Sequence, residues 1–168
     1  MKKIDSIVLS GKESLPLVEG GKGIAVSSGE SSGAWAKAGG VGTFSGVNAD
    51  SYDDNGNLIP QVYKEKTRSK RHRELVDFSV SGAIEQAKIA RDIAGDKSAI
   101  HVNILWEMAA AEEILTRTLE KAGSIIDGVT CGAGMPYKLS EIAAKFGIYY
   151  YPIVSSARAF NALWKRSY

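Results

Sequence analysis

The sequence predicts an α/β fold assembled from consecutive strand–helix units. Runs rich in branched and aromatic residues alternate with longer runs of helical periodicity, which is typical of a parallel sheet with helical crossovers. The predicted strands end near residues 19, 44, 105, 130 and 154, so three of the four intervals span about 25 residues. Glycine supplies 18 of the 168 residues, above the usual share of about 7%, and it gathers after the predicted strands.

The composition indicates one domain with an ordinary core. Hydrophobic residues make up 44% and charged residues 24% of the chain, both close to the values of globular proteins. We therefore expect a single α/β region over residues 1–168. The chain has 21 Lys and Arg against 19 Asp and Glu, a net charge of +2, which does not suggest a nucleic-acid partner.

The cellular location is predicted from cysteine usage and hydropathy. Cys131 is the only cysteine, so no intramolecular disulfide can form and a reducing compartment fits. The basic residues near the start are not followed by the apolar run of a secretory signal. No stretch approaches the roughly 20 apolar residues of a membrane span. We expect a cytoplasmic protein that does not associate with membranes.

The first two units are predicted from strand runs and the turn residues between them. Residues 15–18 form a strand that leads into the glycine-rich turn 20–23. A short, Ala-rich helix follows at 31–38, and the next strand is 41–44. Residues 48–66 form a long polar loop with an Asp-Asn-Gly turn signal. A loop of this length inside a compact domain is usually functional or mobile.

Three further units complete the predicted order. Each helix has apolar residues at helical spacing, and glycine follows the first three of them. Ser156 is the predicted N-cap of the last helix. The predicted strands are 100–106, 125–130 and 148–154, and the predicted helices are 69–94, 107–122, 138–146 and 156–164.

Five units of this kind suit two architectures. One is a complete five-stranded open α/β sheet, flavodoxin-like in size. The other is the front part of a TIM-type (β/α) barrel, which needs eight strands and typically about 250 residues. The length of the chain alone favours the open sheet.

In both architectures ligands bind at the carboxyl ends of the strands, where the glycines gather. These glycines either let a flat or anionic ligand approach the backbone or provide tight turns. Neither the dinucleotide-binding nor the P-loop spacing occurs, and metal-ligand spacing is also absent. The glycines concerned are Gly20, Gly21, Gly23, Gly46, Gly132 and Gly134.

Alternation along the predicted strand 100–106 separates its two faces. The even-numbered residues from 100 to 104 are aliphatic and belong to the helix-covered face, so His101 and Asn103 lie on the other face. A buried amide must be hydrogen-bonded, so Asn103 contacts either a ligand or neighbouring backbone. We interpret His101, which lies deeper, as a core histidine rather than a catalytic base.

Two other features have both a chemical and a structural interpretation. Cys131 follows a strand and precedes Gly132, which suits either a reactive thiol activated by the next helix or a buried, inert one. The basic run at 68–73, which includes His72, is either a solvated helix start or, with the glycine loops, a site for a phosphorylated ligand.

Several ordered segments resemble the nitronate monooxygenase family, also called 2-nitropropane dioxygenase-like. Residues 15–23 (Leu-Pro-Leu-Val-Glu-Gly-Gly-Lys-Gly) and 38–46 (Ala-Gly-Gly-Val-Gly-Thr-Phe-Ser-Gly) are similar to its opening pattern, P-[IL]-x-x-G-G-M-G and then A-x-x-G-G-[LV]-G. Residues 101–103, 131–136 and 151–156 also look like family segments. The resemblance extends from about residue 15 onward and includes the long second loop found in one subgroup.

The resemblance implies a TIM-barrel flavoprotein that binds FMN and oxidises alkyl nitronates with O₂. Relatives include FMN-dependent enoyl reductases, so an enoyl reductase-like activity is the alternative. Lys22 stands where the family more often has Met. By matched position, the expected FMN-binding residues are Gly20, Gly21, Lys22, Asn103, Cys131, Gly132, Ala133 and Ser155.

The resemblance also reverses the preference for the open sheet. The family's catalytic histidine and its phosphate-binding loops come from later strands, and neither His72 nor His101 matches that histidine's motif. We therefore expect an incomplete barrel of about five units, inactive alone and with no assigned catalytic base. It would belong to a longer protein or close against a second copy. The substrate would be a nitronate or nitroalkane; a non-enzymatic βα piece that assembles with another chain is the remaining alternative.

Overall fold

The computed structural model describes residues 4–167 and has the predicted α/β class. An antiparallel hairpin comes first, and four parallel strands then alternate with helices. The strands are β1 (Ile7–Leu9), β2 (Lys12–Ser14), β3 (Gly42–Ser45), β4 (Ile100–Leu105), β5 (Gly128–Gly132) and β6 (Tyr149–Pro152). The helices are α1 (Gly29–Lys37), α2 (Arg68–Ala94), α3 (Ala111–Ala122), α4 (Leu139–Phe146) and α5 (Ala157–Trp164).

The parallel strands neighbour one another in chain order, β3-β4-β5-β6. The predicted strand at 15–18 is reduced to one parallel bridge, between Val18 and Val41. Pro16 has no N–H to donate to a ladder, and the Glu19 carboxylate accepts the hydrogen bond from the Thr43 N–H at 3.0 Å. A doubly wound sheet is defined by a reversal of its strand order. The described strands show no such reversal.

The two faces of the parallel sheet differ in chemistry. One face contributes Phe44, Val102 and Val129 to a core that continues into the helices, while α2 covers it with small residues that include Ala83 and Ala87. The opposite face, called here the polar face, carries Thr43, Ser45, His101, Asn103 and Thr130. Because alternate residues of a strand point to opposite faces, the register alone puts these polar side chains side by side.

The helix ends follow local rules that the sequence displays. The side chains of Ser28, Thr67 and Ser156 accept hydrogen bonds from the backbone three residues later and cap α1, α2 and α5. Gly95 ends α2 with a φ of 72°, and Gly147 ends α4 with a φ of 66°. The predicted N-cap at Ser156 is confirmed, as are the glycine stops at Gly95 and Gly147.

Two predicted boundaries are wrong by three residues or more, and one pair of strands was not predicted. Helix α3 begins at residue 111 instead of 107, because Ala110 has a left-handed backbone with a φ of 68°. Strand β5 begins at residue 128, after a 3₁₀ turn at Gly123–Ile125. The unpredicted element is the β1–β2 hairpin, whose two-residue turn has positive φ at both Ser10 and Gly11, as type I′ turns do.

A network of ion pairs closes the amino end of the sheet. The Asp127 carboxylate accepts from Arg91 at 2.7 Å and from Lys12 at 2.8 Å, and its Oδ2 also accepts from the Ile100 N–H at 2.8 Å. Arg91 is 8% exposed and donates to three backbone carbonyls as well. Because the charges are paired and hydrogen-bonded, this network fastens the hairpin, α2 and β5 together.

The long loop between β3 and α2 has little regular structure. Its one bridge joins Tyr52 to Leu58, around a turn in which Asp53 Oδ1 accepts from the N–H groups of Asn55 and Asn57. These hydrogen bonds lower the pKa of Asp53 below its usual value. Among residues 4–167, no helix combines the length and the apolar character that crossing a membrane requires.

Candidate functional site

The carboxyl end of the parallel sheet collects most of the residues predicted to bind a ligand. The register aligns Ser45, Asn103, Thr130 and Tyr151 in one row across four strands. One step closer to the carboxyl end, Leu105 pairs with Gly132. A ligand at this end would therefore meet the side chains of Ser45, Asn103 and Thr130 below it, whereas the ring of Tyr151 extends toward the amino end.

Asn103 is held in a defined orientation on the polar face. It is 3% exposed, and its Oδ1 accepts a hydrogen bond from Thr130 Oγ1 at 2.9 Å. Since the Thr130 hydroxyl donates, the carbonyl side of the amide is identified and Nδ2 is the donor that remains. The amide can therefore offer hydrogen bonds to a ligand acceptor, such as a carbonyl or nitro oxygen.

The glycine loop 20–23 lies directly against that amide. A Cβ atom at Gly21 would be 2.2 Å from Asn103 Cγ, a distance no real contact allows, whereas a Cβ at Gly20 would meet nothing within 4 Å. A Cβ at Gly23 would lie 3.8 Å from Leu105. Lys22 is exposed, and its backbone N–H donates to Ser27 Oγ at 3.1 Å. The structure thus brings Gly21 and Asn103 together, with the side chain of Lys22 in solvent.

Two other predicted residues, Ala133 and Ser155, line a second part of the site. They share a cavity of about 320 Å³ between the loop after β5 and the loop after β6. The Ala133 carbonyl accepts from the Glu107 N–H at 3.0 Å, which fastens this loop to the end of β4. A Cβ at Gly132 would lie 3.3 Å from Ile153. The lining is completed by Gly134, Met135, Ile153, Val154 and Ala159.

Strained backbone is concentrated in the loops at this end. Apart from Ser10 in the hairpin, every non-glycine residue with positive φ among residues 4–167 lies in a loop after a strand or bridge of the parallel sheet. Such conformations cost about 1–3 kcal/mol each and persist where the surrounding structure enforces them, often at functional sites. These residues are Ile24, Ala25, Asn48, Ala110 and Ala133.

Cys131 does not belong to the polar face. Its side chain is fully buried among the apolar residues that face the helices. Burial raises the pKa of the thiol to about 12, although a backbone hydrogen bond with Trp106 opposes the shift. The thiol is therefore protonated and inaccessible at neutral pH, which contradicts the reactive-thiol interpretation. Only the backbone of Cys131 lies close to the site.

His101 is a core histidine, as predicted, near the opposite end of the sheet. Its Nε2 is 2.6 Å from Ser10 Oγ, and its ring stacks on Tyr151 with centroids 4.9 Å apart. Burial lowers the pKa of the imidazole to about 4, against the opposing effect of the Asp127 charge. A Cβ at Gly128 would be 2.8 Å from Nε2, so glycine makes room for the ring. A neutral, packed imidazole does not serve as a base at the carboxyl end.

The basic run at 68–73 is largely engaged at the start of α2. Lys70 pairs with Glu65 at 3.3 Å, and Arg71 Nε donates to the Glu65 carbonyl at 2.7 Å. Arg73 pairs with Glu113 of α3. This arrangement agrees with the interpretation as a solvated helix start. These three cations already form ion pairs or hydrogen bonds with nearby residues of the chain.

Sequence reasoning missed the residues that hold the predicted ones in place. Thr130 orients Asn103, and Ser10 bonds both His101 and the Tyr151 hydroxyl, the latter at 2.9 Å. Alternation within β5 places Thr130 on the polar face, but only the register with β4 shows that it lies opposite Asn103. No local signal connects Ser10 to a residue 91 positions away.

The described part of the chain holds no cluster of three or more His, Cys, Asp or Glu side chains suited to a metal ion. Comparison with protein-family models finds no match, and comparison with curated proteins finds none either.

Proposed function

We propose that this chain forms strand–helix units of an FMN-dependent oxidoreductase of the nitronate monooxygenase type, with its parallel sheet as one arc of a TIM barrel. The strand order supports the arc, because barrels add strands in chain order and doubly wound sheets do not. The distribution of side chains supports it as well. The apolar face packs on helices, and the polar face would then line the barrel interior.

One observation carries the proposal: a side-chain-free loop is seated on a buried, oriented amide at the carboxyl end of the sheet. Gly21 contacts Asn103 so closely that only glycine fits, and this loop belongs to the segment on which the family resemblance depends. A planar ring needs such bare backbone to approach, together with donors for its carbonyl oxygens. The residues present therefore fit the ring and ribityl parts of FMN.

Six residues would hold the flavin in this proposal: Gly20, Gly21, Asn103, Gly132, Ala133 and Ser155. When bound, FMN supplies the electron transfer from nitronate to O₂. The chain supplies a donor at Asn103 Nδ2, the hydroxyl of Ser155, and loops that restrict access of water to the polar face. Lys22 and Cys131 are left with backbone contacts, since one side chain is in solvent and the other in the core.

The substrate that best suits these residues is a preformed nitronate. A neutral nitroalkane needs a base to remove its α-proton, and neither histidine of the chain is placed for this. His72 is exposed on α2, and His101 is buried and neutral. A nitronate has already lost that proton, so it requires only binding, orientation and an electron acceptor. The enoyl reductase-like alternative needs a proton donor at the same place, and no described residue is assigned to that role.

Flavin binding tests this proposal directly. FMN titrated into the purified chain should show quenched fluorescence and a shifted absorption band, because the ring leaves water for a protein site. Gly21→Ala should weaken this binding at least tenfold, whereas Gly123→Ala, at the end of α3 and outside the site, should change it little, since its Cβ would make only ordinary contacts at 3.8 Å. No spectral change at FMN concentrations up to the millimolar range would overturn the proposal. Equal effects of the two substitutions would contradict the assigned contact.

Assembly with another chain is the second candidate, and one surface favours it. An apolar groove of about 350 Å³ runs between β6 and α5, where Phe160 is 51% and Trp164 70% exposed. An exposed apolar groove of this kind beside the unpaired edge of a sheet typically marks an interaction surface. Size-exclusion chromatography with light scattering should then give a mass above 18.0 kDa, and Phe160→Ser should reduce it. A stable monomer at all concentrations would exclude self-assembly.

A further inference from the structure

A second groove, on another side of α5, has the chemistry of an anion site. It has a volume of about 620 Å³ and lies between α5 and the loop that follows β5. Three of its lining residues are cations, and two others offer an amide and a phenol. The lining residues are Tyr137, Arg158, Asn161, Ala162, Lys165 and Arg166. We call this surface the α5 groove; it shares no residue with the proposed FMN site.

The cations of the α5 groove have no carboxylate partner among the described residues. No carboxylate lines the groove, and the ion pairs recorded among residues 4–167 do not include Arg158, Lys165 or Arg166. Glu141 is the only acidic residue between positions 132 and 167, against five Lys and Arg. Cations that share one groove without an ion-pair partner repel one another. An anion bound in the groove would relieve that repulsion.

The spacing of the groove residues indicates the size of the anion. Arg158, Asn161, Ala162 and Lys165 lie at helical intervals that place them on one face of α5. Arg158 and Lys165 are seven residues apart, or about 10 Å along the axis at 1.5 Å per residue. The small side chain of Ala162 leaves room between them. Because both side chains are long, their charged ends can converge from these positions on an anion with two linked charged groups, one end bound by each.

Arg166 gives the groove a fixed wall. Its guanidinium lies 4.4 Å from the centre of the Tyr137 ring, a distance at which the cation is attracted to the ring face. This contact joins the end of α5 to the loop after β5. A guanidinium held in place loses less freedom when it binds an oxyanion, and its planar fork matches phosphate oxygens in pairs.

We propose that the α5 groove binds a small molecule that carries two linked phosphates. Arg158 and Lys165 bind its charged ends, Arg166 binds from the Tyr137 side, and the Asn161 amide donates to a neutral oxygen of the ligand. The proposal does not depend on the flavin proposal, because it uses other residues and another surface. Each of the two therefore stands or fails by itself.

Calorimetric titration with inorganic pyrophosphate, without flavin, tests the groove. We expect one saturable site, with inorganic phosphate binding at least tenfold more weakly because it spans only one end. Arg158→Gln and Lys165→Gln should each weaken pyrophosphate binding about tenfold. Both side chains are exposed, so the fold should survive, as circular dichroism would verify. Lys121→Gln on α3 removes the same charge from another exposed position and should leave the affinity unchanged.

Three results would overturn the proposal. Absence of saturable pyrophosphate binding at low salt would do so outright. An equal loss in Lys121→Gln would mean that only the general charge of the surface attracts the anion. Binding of an acidic peptide such as oligoglutamate, without pyrophosphate binding, would identify the groove as a protein contact instead.

Discussion

The two ends of the parallel sheet are built in different ways. At the amino end, contacts between side chains hold the elements together. Asp127 forms ion pairs with Arg91 and Lys12, and Ser10 lies within hydrogen-bond distance of both His101 and Tyr151. At the carboxyl end, the shape of the loops depends on the backbone, through glycines and residues with positive φ. The amino end therefore holds elements of the fold together, while the carboxyl end is where we propose that a ligand binds; barrels divide stability and activity between their two ends in this way.

Asp127→Asn should have the largest effect, at the amino end. It removes the charge that neutralises Arg91, which is 8% exposed, and breaking one side of a buried pair costs about 3–5 kcal/mol. Urea unfolding should show this loss. Glu85→Gln is the matched control, because its 3.8 Å pair with Lys88 is on the surface and is worth less than about 1 kcal/mol. Similar losses in both variants would contradict a special role for the amino end.

Acid should destabilise the protein through His101. The folded pKa is about 4 and the ordinary value 6.5, so between these values the unfolded chain binds more protons than the folded one. The contribution of neutral His101 to the free energy of unfolding is therefore fully present above pH 6.5. It is lost as the pH decreases toward 4, by about 3 kcal/mol. The dependence of the free energy of unfolding on pH should become weaker in His101→Gln. It should persist in His72→Gln, since His72 is exposed. Identical pH profiles for wild type and His101→Gln would show that other groups cause the loss.

Gly21→Ala should have an intermediate effect, at the carboxyl end. The new methyl group would collide with Asn103, and overpacking of this kind costs about 1–3 kcal/mol. Thermal unfolding measures the loss of stability, and FMN titration measures the loss of affinity. Gly20→Ala changes the same loop where no atom lies within 4 Å, so it should change the stability by less than about 0.5 kcal/mol.

Thr130→Val should have the smallest effect on stability and a clear one on binding. It removes the hydrogen bond that Thr130 Oγ1 donates to Asn103 Oδ1. A hydrogen bond of this kind contributes about 1 kcal/mol to the free energy of unfolding. The amide then loses its fixed orientation, so we expect FMN affinity to fall about fivefold. Thr130→Ser retains the hydroxyl and should restore the affinity. Failure of Ser to rescue would mean that the methyl group, and not the hydrogen bond, matters.

Much of the local structure could be predicted because it depends on neighbours in sequence. The alternation in β4 separates Val102 from Asn103, and the caps at Ser156 and Gly95 are visible as single residues in the expected places. The start of α3 could not be predicted in this way. Helical periodicity extends back to residue 107, and only the left-handed conformation of Ala110 stops it.

The sequence by itself determined the βα units, their caps and the faces of their strands, because helix and strand periods and capping bonds act over a few residues. Tertiary structure decided which of those residues meet. Asn103 and Thr130 are 27 positions apart, and Ser10 and His101 are 91 apart, so their contacts depend on strand register and on where the hairpin lies. The cations of the α5 groove likewise gain their shared wall only when Tyr137 packs beside Arg166. Such contacts depend on the packing of whole elements, which no local pattern encodes.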